Sequence, residues 1–206
     1  MLFVSKVNFA ALISEISKLE SWTDGTGALM MVRPSAGLPQ NIMKLPTIKA
    51  AVQEISDLRK IPALHIMINV LPPDCDTKVH RDFLIPSKLG EKPCVERWHL
   101  AVKTNDQSVM WDEISDKEIN VKAGMWYGPF PYWAKHYVAN RGKTERIHVV
   151  VDLDSETPVG EYDEHGKARL ILPAIVSQSE KPAVDPNRLQ NVPKVSTSLS
   201  SGPVVS

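Results

Sequence analysis

Six histidines are spread along the chain, at positions 65, 80, 99, 136, 148 and 165. Several of them stand beside charged residues at spacings that chemistry can use. In His80-Arg81-Asp82, residues two apart on an extended segment point to the same face, so the imidazole and the carboxylate can converge on one point. With a second histidine from a distant strand they would complete a 2-His-1-carboxylate triad. That set binds one face of Fe(II) and leaves positions open for co-substrate and oxygen. Taken alone, His-x-Asp is far more often a surface turn. Its position sets it apart, because it follows an apolar β-type run and the turn Pro72-Pro73-Asp74, where a β-barrel has its rim.

A second block, residues 126–140, is dense in aromatics for a chain with only 6% of them, and its His136 opens a β-type segment. By itself this block reads as an aromatic corner with a hydrogen-bonded histidine. The third block runs from Arg146 to Asp152. Alternation puts Arg146 and His148 on one face and Ile147 and Val149 on the other. An arginine facing a barrel interior is costly unless it meets an anion, and a bidentate carboxylate is its natural partner. The far end of 2-oxoglutarate carries such a group. Arg97 and His99 share a face of another strand in the same way. For both arginines a solvent-facing charge is the competing reading, and for His99 a buried, hydrogen-bonded histidine.

The elements that must hold these residues fall into two textures. Phe9, Leu12, Ile13, Ile16 and Leu19 recur at three- and four-residue steps, predicting an amphipathic helix over residues 8–20. Thr47 is placed to cap a second helix running through Leu58, with Pro62 beyond its end. After Pro62 short β-type runs follow, at residues 64–71, 98–102, 108–111, 118–121, 125–127 and 146–153. No helix-sized segment separates them, so an antiparallel sandwich or small barrel is expected rather than a parallel α/β fold. From Ser177 to Ser206 there are seven serines, four prolines and no aromatic residue, the composition of a disordered tail. The expected organisation is a helical segment at 1–62 packing on the barrel, a barrel domain at 63–176, and the tail at 177–206.

Composition narrows the function classes. Lysine plus arginine number 24, as do aspartate plus glutamate, for a formal net charge of zero. A protein that coats nucleic acid carries a basic excess, so no nucleic-acid partner is expected. No apolar run approaches the roughly 18–20 residues of a membrane helix, and the N-terminus lacks a secretory layout. The reading is a soluble, cytoplasmic protein in which Cys75 and Cys94 are two ordinary thiols.

From about Leu64 to Leu153 the ordered blocks resemble the aspartyl/asparaginyl β-hydroxylase-like branch of the Fe(II)/2-oxoglutarate-dependent dioxygenases. Leu71-Pro-Pro-Asp74 followed by Val79-His80-Arg81-Asp82 is similar to the family's rim turn and first metal ligand. Arg97-Trp98-His99 is similar to its arginine-x-histidine strand, and Ala123-Gly124-Met125-Trp126-Tyr127 to the turn and strand before the distal histidine. His136 to Asn140 resembles the distal metal block. Arg146 to Asp152 resembles the strand whose arginine holds 2-oxoglutarate.

The resemblance implies a mainly β fold with flanking N-terminal helices, a double-stranded β-helix of the jelly-roll or cupin kind. It implies Fe(II) held by His80, Asp82 and His136, 2-oxoglutarate bound by Arg146 and His99, and O2 as second co-substrate. The reaction implied is hydroxylation of a C–H bond with release of succinate and CO2. The substrate would be an amino acid, a peptide residue or a small carboxylate, with Arg97 a candidate substrate contact. Some members carry glycine where this chain has Asp82; here the triad is complete. The segment from Phe83 to Cys94 is longer than compact members need and would reshape the substrate side of the mouth. Competing readings are a cupin-like binding barrel without turnover, a metal isomerase or dioxygenase that uses no 2-oxoglutarate, and a zinc hydrolase. The last lacks a general-base block of the His-Glu-x-x-His kind.

Overall fold

Alternating side chains build the long strands here, and helical periodicity builds the layer that covers them. The computed structural model describes residues 1–18, 45–82, 94–155 and 157–171. The expected tail at 177–206, the end of the first predicted helix and nearly all of the 83–94 segment lie outside the described residues.

Helix α1 spans Phe9–Ile16, with the Asn8 side chain accepting the Ala11 N–H at 3.1 Å as its N-cap. Helix α2 spans Pro46–Arg59 and ends on Lys60 in the left-handed region. Its N-terminus differs from expectation. Leu45 occupies the cap position without a side-chain bond, and Thr47 lies inside the first turn. The capping carboxylate comes from α1: Glu15 accepts the N–H of Thr47 at 2.9 Å and that of Ile48 at 2.9 Å. An anionic acceptor at a helix N-terminus satisfies free donors and the helix dipole together, and here it also ties one helix to the other.

The strands are β1 (Leu2–Val4), β2 (Ala63–Leu71), β3 (Cys75–Asp76), β4 (Val95–Lys103), β5 (Ser108–Asp112), β6 (Lys117–Ile119), β7 (Met125–Phe130), β8 (His136–Asn140), β9 (Arg146–Asp154), β10 (Gly160–Tyr162) and β11 (Ala168–Leu170). A five-stranded sheet has the order β1-β7-β4-β9-β2, a four-stranded sheet the order β3-β8-β5-β6, and β10 and β11 form a separate hairpin. All the pairings among the described residues are antiparallel. This is the mainly β jelly-roll architecture with N-terminal helices. Cys75 and Cys94 are not joined by a disulfide.

One face of the larger sheet, carrying Trp98, Leu100, Val149 and Val151, packs on Leu12, Ile48, Val52 and Ile55 of the two helices. Two glycines make this possible. Gly124 turns the chain into β7 at φ +86°, where a side chain would be strained. At Gly128 a Cβ would lie 2.6 Å from the Trp98 ring, so only glycine lets β7 pass it. The other face meets a second core containing Leu71, Ala101, Met110, Phe130 and Val138. Between the two sheets lie the charged residues singled out above.

Candidate metal and co-substrate site

Pairing of the rim segment with β8 brings His80 and His136 together. The two residues exchange backbone hydrogen bonds of 3.0 and 2.9 Å, and their rings lie 4.4 Å apart. Two residues further along, the Asp82 N–H donates to the Tyr132 carbonyl at 3.0 Å, which anchors the backbone of the third group. Ligand atoms of His80, Asp82 and His136 all lie within 4.8 Å of one another. Among the described residues this is a group of the kind that can hold a metal ion.

Each histidine is oriented by its own backbone. Nδ1 of His80 contacts the Lys78 carbonyl at 2.6 Å, and Nδ1 of His136 the Ala134 carbonyl at 2.9 Å. A carbonyl only accepts, so both Nδ1 atoms carry a proton, and it is Nε2 of each ring that can serve as a ligand once it holds no proton of its own. Those Nε2 atoms face Asp82, at 3.4 Å from His80 and 3.7 Å from His136. The bond to Asp82 raises the His80 pKa, while burial lowers that of His136. Burial works to raise the Asp82 pKa. The His80 bond and the positive charge of Arg97 prevail and hold it well below the usual carboxylate range. A neutral, deprotonated imidazole and an ionised carboxylate are the forms a metal needs.

The interior rows come from cross-strand register. On β9, Arg146, His148, Val150 and Asp152 share a face, and β4 sets Ala101, His99 and Arg97 opposite the last three. Arg146 is 1% exposed, yet its guanidinium meets only neutral groups: the Asn69 side-chain oxygen at 2.9 Å and His148 Nδ1 at 3.0 Å. Burial pushes its pKa down to about 9, so it remains a cation at neutral pH with no anion beside it among the described residues. His99 is buried with neither ring nitrogen hydrogen-bonded, and the Nε2 of His148 is likewise unpartnered. Burial, and then the charge of Arg146, keep both rings neutral. Aromatic contacts link the two groups: His99 lies 5.8 Å from His148 and 5.1 Å from Phe130, and Phe130 lies 5.1 Å from His136.

Arg97 stands differently. It is 3% exposed, and it donates from Nε and one terminal nitrogen to the two oxygens of Asp152 at 2.8 and 3.0 Å. Its other terminal nitrogen bonds Asp82. Asp152 also contacts Nδ1 of His65, at 3.3 Å. Neither Asp152 nor His65 stands out in the sequence as a site residue. Asp152 shares the parity of Arg146, which places it on the same face, but its partner is set by the β4–β9 register. Asn140, at the end of the distal block, is structural: it donates to the carbonyls of Leu71, Pro72 and Thr144.

Residues 13–156 match the sequence model of the family described as aspartyl/asparaginyl beta-hydroxylase. None of the curated proteins matches the chain. Among solved structures, the chain is similar to the viral collagen prolyl hydroxylase of Paramecium bursaria Chlorella virus-1 in complex with 2OG. The identity is 10%, the match covers 74% of this chain and 94% of that one, and the TM-score is 0.50. A prolyl-4-hydroxylase of Pseudomonas putida matches at 13% identity, over 75% of this chain and 91% of that one, with a TM-score of 0.47. The α-ketoglutarate-dependent carbocyclase SnoK from nogalamycin biosynthesis matches at 18%, over 70% and 72%, with a TM-score of 0.49. The likeness to the viral enzyme is one of fold.

Proposed function

Since the chain belongs to the aspartyl/asparaginyl β-hydroxylase family of 2-oxoglutarate-dependent hydroxylases, we propose that His80, Asp82 and His136 hold Fe(II) and that Arg146 and His99 bind 2-oxoglutarate. Bound iron with 2-oxoglutarate supplies the oxidative chemistry: decarboxylation to succinate and CO2, coupled through O2 to hydroxylation of a C–H bond. The substrate is an amino acid, a peptide residue or a small carboxylate.

The observation that carries the reading is the unmatched charge of Arg146. A buried guanidinium without a counter-ion is strongly unfavourable, and a carboxylate meets it with two parallel hydrogen bonds. The unpartnered nitrogens of His99 and His148 stand on the same interior face. A neutral His99 offers both a donor and an acceptor to a polar ligand, and His148, whose Nδ1 accepts from Arg146, offers the donor at Nε2. The donor set of two imidazoles and one carboxylate suits Fe(II). The chain's own residues do the preparatory work. The Lys78 and Ala134 carbonyls hold the protons on the Nδ1 atoms, Arg146 orients the far carboxylate, and the Phe130 ring lines the way between.

The test is 2-oxoglutarate binding with Mn(II), together with succinate formation from 2-oxoglutarate with Fe(II). The wild-type protein should do both, and His80→Ala should lose both. A wild-type protein that neither binds nor consumes 2-oxoglutarate would leave a binding barrel in place of an oxygenase.

A further inference from the structure

We propose that Arg97 is the positioning residue of the metal centre: braced by Asp152, it holds the Asp82 carboxylate where a divalent cation can take it together with the Nε2 atoms of His80 and His136. This rests on the reading of those three residues as metal ligands and deepens it.

The need for such a residue follows from how differently the three candidate ligands are held. Each histidine is locked through Nδ1 to a backbone carbonyl two residues away. Asp82 has no such lock. It lies outside the named strands, and its side chain is 34% exposed. Among the described residues its backbone is tied to Tyr132. Its carboxylate, which otherwise meets only the two imidazoles it is to share a metal with, can turn about its side-chain torsions unless something grips it. Arg97 provides the grip, and Arg97 is itself held on several sides. Its guanidinium carbon lies over the Tyr132 ring, 4.9 Å from the ring centre. Asp152 takes its opposite edge with two bonds in the fork geometry that only a guanidinium offers. His65, the cross-strand partner of Asp152 on β2, closes the row. A buried row across β2, β9 and β4 thus ends on the one candidate ligand that the rim does not hold rigidly.

Asp152 also answers an electrostatic difficulty. A lone guanidinium beside a ligand carboxylate would oppose the approach of a dication. Paired with Asp152, Arg97 forms a neutral unit, so Asp82 is oriented without leaving an extra positive charge beside the metal position. The same pairing speaks against Arg97 as a receptor for a substrate carboxylate, because all three of its nitrogens already meet carboxylates of the chain.

Co(II) is a suitable probe, since its visible absorption reports ligand geometry without turnover. The full chain should bind Co(II), and His80→Ala should abolish binding. Arg97→Lys keeps the charge but cannot form two parallel bonds to Asp152 while donating to Asp82 from an opposite edge, and Asp152→Asn is nearly isosteric and removes the brace. Each should weaken Co(II) binding by roughly 10–100-fold, as for residues that orient metal ligands, and alter the absorption band. Ile48→Val, in the helical layer far from the row, should lower the melting temperature and leave Co(II) affinity and spectrum unchanged. Should Arg97→Lys fail to fold, Asp152→Asn carries the comparison. Wild-type affinity and spectrum in a folded Arg97→Lys or Asp152→Asn protein would overturn the positioning role while leaving the metal centre intact. Failure of the wild-type protein to bind Co(II) would overturn both.

Discussion

Strand β9 has two sides that differ in almost every physical respect. Toward the helices it presents Ile147, Val149, Val151 and Leu153, packed against apolar residues of α1 and α2. Toward the second sheet it presents Arg146, His148, Val150 and Asp152, three of them ionisable and all buried. Neighbouring β4 repeats the division, with Trp98 and Leu100 outward and Arg97 and His99 inward. The outer face gains free energy from burial at about 25 cal/mol per Å² of apolar surface. The inner face gives much of that up, because buried ions and unpartnered imidazoles are unfavourable. The two sides of one sheet therefore divide stability from chemistry by the parity of the residue number.

That division is broken most severely from the outside. Trp98→Ala empties a fully buried position and should lower unfolding free energy by about 3–5 kcal/mol, measured by denaturant titration. The fraction that remains folded should still bind 2-oxoglutarate normally. Next comes Arg146→Ala, which should reverse the pattern. Affinity for 2-oxoglutarate should fall by about 2–4 kcal/mol, as for one side of a buried charge pair. The melting temperature of the ligand-free protein should not fall, since an uncompensated cation has been removed. Arg146→Lys should restore only part of the affinity. If Arg146→Ala lowered stability as Trp98→Ala does, the inner face would be structural after all.

The smallest effect belongs to the helical layer that covers the outer face. Glu15→Gln keeps the shape of the tertiary cap and loses its charge, at a cost of about 1 kcal/mol at neutral pH. Burial works to raise the Glu15 pKa, but its bonds to Thr47 and Ile48 pull it below the ordinary value. A depressed carboxylate stabilises the fold above the unfolded-state pKa of about 4.3. That contribution is lost as the pH falls through the folded value. Stability curves of variant and wild type should therefore draw together as the pH falls below the unfolded-state value and meet below the depressed folded one.

Alternation in residues 146–153 and 98–102 suffices to place β9 and β4 and to pair Arg146 with His148 and Arg97 with His99 on one face each; the sheet packing makes those faces interior. Three- and four-residue periodicity places α1 and α2. What escapes is four of the five strands of three residues or fewer: β1, β3, β10 and β11 are too short to show a period, whereas β6 is met by the run at 118–121. The expectation of a Thr47 cap fails for a related reason, since the actual acceptor stands 32 residues earlier in the chain. In the site, the spacing of His80 and Asp82 foretells their convergence, and the structure brings His136 to them. Which of the two interior arginines finds a counter-charge is not legible in the same way. Arg97 and Arg146 look alike as Arg-x-His pairs, yet one faces Asp152 and the other faces neutral groups. Register decides between them, and register is a property of two strands rather than one.

The two-sided strand also restricts how such a protein can change over generations. Deleting or inserting a single residue within β9 would exchange its faces, sending Arg146 and His148 toward the helices and Ile147 and Val149 toward the site. Core and chemistry would be lost in one step, with no partly working intermediate for selection to keep. Substitution, residue by residue, is the route that β9 leaves open. Changes of length, and with them new substrate preferences, must arise in the connections between strands.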